Sequence, residues 1–334
     1  MKIVCKKLKF NKKTIFGMVI LLIIIMLVIN PKRYINSCYN GLVCWVKNVL
    51  PSLFPFLICT KILTEINFFD KFSNLLAKPT KKLFKAPLIA SSVFLISIIS
   101  GYPVGAKIIS DLYNQKAISS KTANKLTTFC STSGPLFIIG TVGTSLFGSA
   151  KIGYIMLFSH ILGSIINGIF YRNKYVNENE THYQHEQNTN LNYNKIIANC
   201  MKNSISSVLV VGGFITIFYI IIDILIDTNI ISFLSYGLDF LLSSLNIKIG
   251  ESVFSGIIEV TRGCLILSQS NASNLIKCVT GAGLISFGGF SIHFQALAFL
   301  NDCKIDTKFY FIQKITHTIF TIIIALLLGI IFLR

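Results

Sequence analysis

The chain has 334 residues, of which 53% are hydrophobic and only 13% charged, with a mean hydropathy of +0.68. Ordinary soluble domains carry about 25% charged residues, so a water-soluble enzyme or binding module is excluded. The formal charge of +18 suggests nucleic acid, but the lysines lie mostly in short segments between apolar runs. That is the flanking charge of membrane spans, which makes the lipid bilayer the partner and nucleic acid none.

Several runs are long enough to cross a bilayer, so the expected class is all-α: a polytopic helical membrane protein. The first fourteen residues carry Lys2, Lys6, Lys7, Lys9, Lys12 and Lys13 and no acid; the apolar run Ile15–Ile29 follows. Asn30-Pro31-Lys32-Arg33 stands where a signal peptide would have a small-residue cleavage site, so the expectation is an uncleaved first span with a cytoplasmic N-terminus. Tyr34–Lys47 reads as an amphipathic helix at the interface. Leu50–Leu57 then enters the membrane through Pro51 and Pro55, the latter expected to disturb the first turns.

Asp70–Pro87 is basic and reads as a surface connection. Leu88–Ser100 is apolar but short for a span, and it ends in Gly101-Tyr-Pro-Val-Gly105. Ala106–Thr128 has helical spacing and reads as a helix in water or at an interface. Cys130-Ser-Thr-Ser-Gly-Pro135, at the head of an apolar run to Gly143, reads as a helix broken inside the bilayer. Tyr154–Phe170 is an ordinary span. Arg172–Asn194 is polar and asparagine-rich and reads as a disordered linker, its His182 and His185 solvated rather than metal-bound. Beyond it lie Ile205–Leu225, Ile230–Leu245, Val253–Leu267, Val279–Leu300 and Phe309–Leu333. The nine cysteines show no C-x-x-C spacing and read as small buried thiols.

The second half echoes the first. Lys47 corresponds to Lys202, Ser100-Gly101 to Ser255-Gly256, Ser133-Gly134 to Ser286–Gly289, and Tyr154 to Phe309 or Tyr310. Each half therefore carries two broken segments in the same order, and paired breaks point to a substrate site between repeats. The expected organisation is a lysine-rich terminus with the first span (1–33), a first repeat (34–172), a linker (173–195) and a second repeat (196–334). Parallel and inverted arrangements both remain open.

Charged groups at membrane depth face a cavity or a partner. Glu259 and Arg262 are three residues apart, so on a helix they share a face. Either they pair and lock a break, or Arg262 grips an anionic substrate with its planar guanidinium. Ser131, Thr132 and Ser133 either bond substrate or cap the helix beginning near Pro135, with capping expected of at least one. His160, His293 and His317 are candidates for proton coupling or packed core histidines. Neither metal-ligand spacing, nucleophile elbow nor phosphate loop is present, so no catalytic set, metal or cofactor is expected.

Leu50-Pro-Ser-Leu-Phe-Pro-Phe56, Ser100-Gly-Tyr-Pro-Val-Gly-Ala-Lys107, Cys130–Gly143, Gly256-Ile-Ile-Glu-Val-Thr-Arg-Gly263 and Ser286-Phe-Gly-Gly-Phe-Ser-Ile-His293 together resemble the YlbJ-type sporulation integral membrane proteins, within the nucleoside-recognition (Gate-domain) group. The resemblance runs from about Tyr34 to the C-terminus. It implies a non-enzymatic transporter that moves dipicolinate, a small aromatic dianion, across the outer forespore membrane during endospore formation. It also leaves room for a homo-oligomer or a complex with other sporulation membrane proteins. The expected contacts cluster at Gly101, Tyr102, Pro103 and Gly105; at Ser131, Ser133, Gly134 and Pro135; at Glu259 and Arg262; and at Ser286, Gly288, Gly289 and His293. A nucleoside carrier and a non-transporting structural protein are the alternatives.

Overall fold

Backbone in hydrocarbon must satisfy its own hydrogen bonds, which leaves helices or closed barrels. The computed structural model describes residues 11–66, 68–175 and 192–333, and every regular element among them is helical. α1 (Lys12–Ile29) exposes aliphatic side chains along most of its length. The chain then bends by 110° into α2 (Pro31–Cys44), where Asn30 accepts from the Arg33 amide and Pro31 occupies the first turn, in which no donor is lost. The lysine-rich stretch 1–10 lies outside the described residues.

α2 is amphipathic, as its pattern predicts, with Ile35, Asn36, Tyr39, Asn40 and Leu42 exposed. Tyr34, Ser37, Gly41 and Cys44 are buried, and a Cβ on Gly41 would stand 2.9 Å from Thr216 Cα. That glycine lets α2 lie directly on the backbone of α9 (Tyr193–Asp227). A π-helical turn, Trp45–Val49, leads into α3 (Leu50–Glu65), which accommodates Pro55 without interruption. The predicted surface connection is instead a helix, α4 (Phe68–Phe84), which buries Thr80 and Phe84 and exposes Lys78, Lys81 and Lys82.

α5 (Ala90–Ser100) and α6 (Val104–Asn114) are followed by a turn at 115–119 and α7 (Ser120–Cys130). The expected single water-facing helix over 106–128 is thus two helices, and Thr122–Cys130 is buried throughout. Its polar composition misleads because its side chains bond to backbone: Thr127 and Thr128 donate to the carbonyls of Asn124 and Lys125. Lys125 donates to those of Lys85 and Arg172, both at 2.9 Å.

A π-helical segment, Leu136–Leu146, leads to α8 (Ala150–Phe170). After α9 come α10 (Ile230–Leu241), α11 (Gly250–Ile258), α12 (Val260–Gln269), α13 (Asn274–Phe287), α14 (Gly289–Leu300) and α15 (Thr307–Phe332). Asp239 on α10 accepts from the amides of Ile249 and Gly250, at 2.9 and 2.8 Å, fixing the start of α11. Residues 176–191, with His182 and His185, lie outside the described residues. Among those described, α8, α9, α15 and the stretch Asn274–Cys303 are long and apolar enough to cross a membrane, and the bent pair α1–α2 makes a fifth. The protein is an integral membrane protein.

Four buried clusters among the described residues hold these helices together, and each draws on both halves of the sequence. In the largest, Phe84, Leu126 and Phe129 pack with Ala296, Leu300 and Tyr310. In the next, Ile138, Ile152 and Met156 pack with Cys264, Ala282 and Ala325. The eight described cysteines are unpaired.

Candidate substrate site

Four helix breaks meet in the interior, and glycine is what lets them. α5 ends at Gly101, whose φ of 71° suits a residue without Cβ. A Cβ there would run into the backbone nitrogen of Gly134, so the first break lies directly on the second. The Tyr102–Pro103 peptide is cis. The second break runs from Ser131 to Gly134, ahead of the π-helical segment.

None of the three hydroxyls provides the predicted cap on that segment. The Thr132 hydroxyl donates instead to the Ser97 carbonyl at 2.9 Å, and the Ser133 amide donates to His160 Nε2 at 2.8 Å. With α5 packed alongside, those groups tie the two breaks together and leave the first turn of the π-helical segment uncapped.

The third break is Glu259 itself, in an extended conformation between α11 and α12. Its carboxylate accepts from the amides of Thr261 at 3.1 Å and Arg262 at 2.7 Å, the favoured place for negative charge at a helix start. Glu259 and Arg262 therefore do not share a helical face, because the helix begins between them. The Arg262 guanidinium turns to α9, pairing with Asp223 and donating to the Tyr219 carbonyl at 2.9 Å; Ser37 on α2 completes the cluster at Asp223. At the fourth break Gly288 and Gly289 both have positive φ, 92° and 69°. A Cβ on Gly289 would stand 3.0 Å from the Gly256 carbonyl, pressing this break onto the third.

The first three breaks and the start of α14, just past the fourth, line one cavity of about 60 Å³. Tyr102, Ser133, Gly134, Glu259, Thr261, Ser291 and Gln295 form its polar wall, and Leu53, Phe56, Val211 and Ile215 its apolar one. Sites for drug-sized molecules span about 300–1,000 Å³, so this cavity has room for a few waters only. Arg262 lies outside it. It lines a second, wider cavity of about 1440 Å³, with Arg33, Asn36, Asn40, Asn48 and Tyr219. Gly101, Gly105 and Gly289 serve the close approach of backbones behind the cavity wall.

Ser286 sits one layer back, 2.7 Å from His160 Nδ1. His317 Nε2 donates to the His160 carbonyl at 3.1 Å, and His293 Nδ1 stands 3.2 Å from the Tyr310 hydroxyl. Sequence reasoning missed Lys314. It is fully buried on α15, and its ammonium donates to the Tyr102 hydroxyl and, at 3.1 Å, to the Ser131 carbonyl. The signal was a polar stripe, Tyr310, Lys314, His317 and Thr321, at helical spacing inside an apolar run.

The family model described as nucleoside recognition (Gate) matches residues 46–158, which cover the first two breaks and the start of α8. The chain is 26% identical over 322 residues to the sporulation integral membrane protein YlbJ of Bacillus subtilis (strain 168), covering 90% of this chain and 78% of that protein. No solved structure matches. The likeness to YlbJ spans all four breaks.

Proposed function

We propose that the protein is a permease for a small organic anion in endospore formation, with dipicolinate as substrate and the outer forespore membrane as its place of work. The observation that carries this reading is the cavity at the four breaks. The π-helical segment and α14 both start at its wall without a side-chain cap. Their first-turn N–H groups and positive dipole ends favour an anion there. Glu259, the acid in the wall, has both carboxylate oxygens hydrogen-bonded by the amides of α12.

The two halves present their elements in the same order, a broken pair α5–α6 then α7–π segment, and a broken pair α11–α12 then α13–α14. We read this as an internal duplication, with repeats over 34–172 and 196–334 and the substrate between them. The small cavity and the wide polar one near Arg262 suit alternating access, the Arg262–Asp223–Ser37 cluster standing at the approach from α2. YlbJ, by its name, is a sporulation protein, and that supports the same setting.

The nucleoside-recognition match and the neutral Ser133, Ser291 and Gln295 favour a nucleoside as the second reading. Purified protein in liposomes decides between them. Saturable uptake of labelled dipicolinate, not competed by nucleosides, is expected. Nucleoside uptake, or no flux of either, would overturn the anion reading.

A further inference from the structure

A buried ammonium needs a countercharge, and among the described residues none pairs with Lys314. Among the described residues the ion pairs are Arg33–Asp227 and Arg262–Asp223. Lys314 is as buried as any residue in the protein, yet its partners are a phenol and a peptide carbonyl. An ammonium has three donors; two neutral acceptors and the Tyr102 ring, 4.9 Å from the nitrogen, leave its charge without an anionic partner. Desolvating an unpaired charge is costly, and an anionic partner recovers much of that cost.

The position of its partners says where an anion would come from. Tyr102 lines the cavity and bonds Lys314, so the phenol stands between the two. Ser131, the other acceptor, also takes the Tyr102 hydroxyl at 2.7 Å, and it directly precedes the cavity residues Ser133 and Gly134 in the second break. Glu259, across the wall, spends its oxygens on α12.

We infer that Lys314 is the countercharge for the substrate anion, and that Tyr102 holds its place until a carboxylate of the substrate displaces the phenol hydroxyl from the ammonium. This rests on the anion-permease reading and names the residue that recognises the charge. Arg262, paired and on the outer cavity, is not that residue.

The test measures the thermal midpoint of the purified full-length protein in detergent against rising dipicolinate, glutarate and the neutral pyridine-2,6-dicarboxamide. Wild type is expected to be stabilised by dipicolinate and not by the diamide. Lys314→Gln should weaken that apparent affinity by about tenfold or more, Lys314→Arg should keep part of it, and Tyr102→Phe should keep or strengthen it. Lys314→Gln binding within about twofold of wild type would overturn the inference and leave the permease reading standing. Wild type binding glutarate alone, with that binding lost in Lys314→Gln, would support Lys314 and remove dipicolinate as substrate. No binding of either anion would overturn both. Should Lys314→Gln fail to fold, Tyr102→Phe decides: an affinity kept or raised supports the displacement, and a fall of about tenfold overturns it.

Discussion

Ser133 and Ser286, one in each half of the chain, bond opposite nitrogens of a single imidazole, that of His160. A backbone N–H must donate, so Nε2 accepts from Ser133 and Nδ1 carries the hydrogen toward the Ser286 hydroxyl. The geometry thus selects the neutral Nδ1–H tautomer. The second break and the end of α13, just before the fourth, are held to α8 by one ring.

His160→Ala should strand the Ser133 amide in the interior. An unsatisfied buried donor costs about 1–3 kcal/mol, with the lost ring volume adding to it. The expected outcome is a clearly lowered thermal midpoint in detergent and a collapse of anion uptake. A variant with wild-type stability would show that the two breaks do not depend on His160.

Glu259 caps α12 by accepting from the Thr261 and Arg262 amides. Glu259→Ala should then cost about 0.5–2 kcal/mol, and Glu259→Gln, which keeps an acceptor oxygen, should cost less. Thermal midpoints of the two variants measure the difference. Equal losses in both would mean that the charge, and not the hydrogen bonds, is what α12 requires.

Those two residues show what sequence reasoning reached. The breaks at Gly101, Ser131–Pro135 and Ser286–Gly289 were visible, because glycine, proline and hydroxyl residues inside apolar runs have no other ready explanation. The third is legible only as lying near Glu259–Arg262, and Ser255-Gly256 falls inside α11. The contacts across the breaks were not visible. Glu259 and Arg262 looked like neighbours on a helical face because nothing local announces that the helix starts between them; only the docking of Gly289 onto Gly256 and Ile258 shows why it must. α7 looked solvated because its threonines are satisfied by carbonyls within the helix and its lysine by carbonyls brought from Lys85 and Arg172. Lys314 escaped notice because a lone lysine in a final span reads as an edge residue, and its burial depends on Tyr102 and Ser131 from the other half.

The start of α15 carries a pH dependence. Asp306 accepts from the Phe309 amide at 3.0 Å and from the Tyr175 hydroxyl at 3.1 Å. The amide bond, with lesser help from Tyr175 and Lys174, holds its carboxyl below the usual range. A carboxyl with a lowered pKa in the folded state stabilises above its unfolded value, and that contribution is lost as pH falls through the folded one. Hydrogen-exchange protection in the first turn of α15, corrected for the intrinsic rate at each pH, should therefore fall on acidification below the ordinary aspartate range. In Asp306→Asn the added acid sensitivity should disappear. An unchanged acid response in that variant would place the titration elsewhere.

Arg262 and Asp223 form a pair whose side chains are each 13% exposed, so removing either leaves a charge with little water around it. Arg262→Gln leaves Asp223 with the Ser37 hydroxyl, and Asp223→Asn leaves the guanidinium with the Tyr219 carbonyl. Each single variant should lose stability, and the double variant should lose less than the sum, with a coupling of about 0.5–3 kcal/mol. Uptake separates an ion pair that only locks α12 to α9 from one that also meets the substrate on its way in from the wide cavity. If Arg262 attracts the anion there, Arg262→Gln/Asp223→Asn should regain stability and still take up dipicolinate slowly, with the deficit shrinking at high salt as screening removes the attraction from wild type as well. Full recovery of uptake with stability would reduce Arg262 to a structural tie and leave charge recognition to the interior.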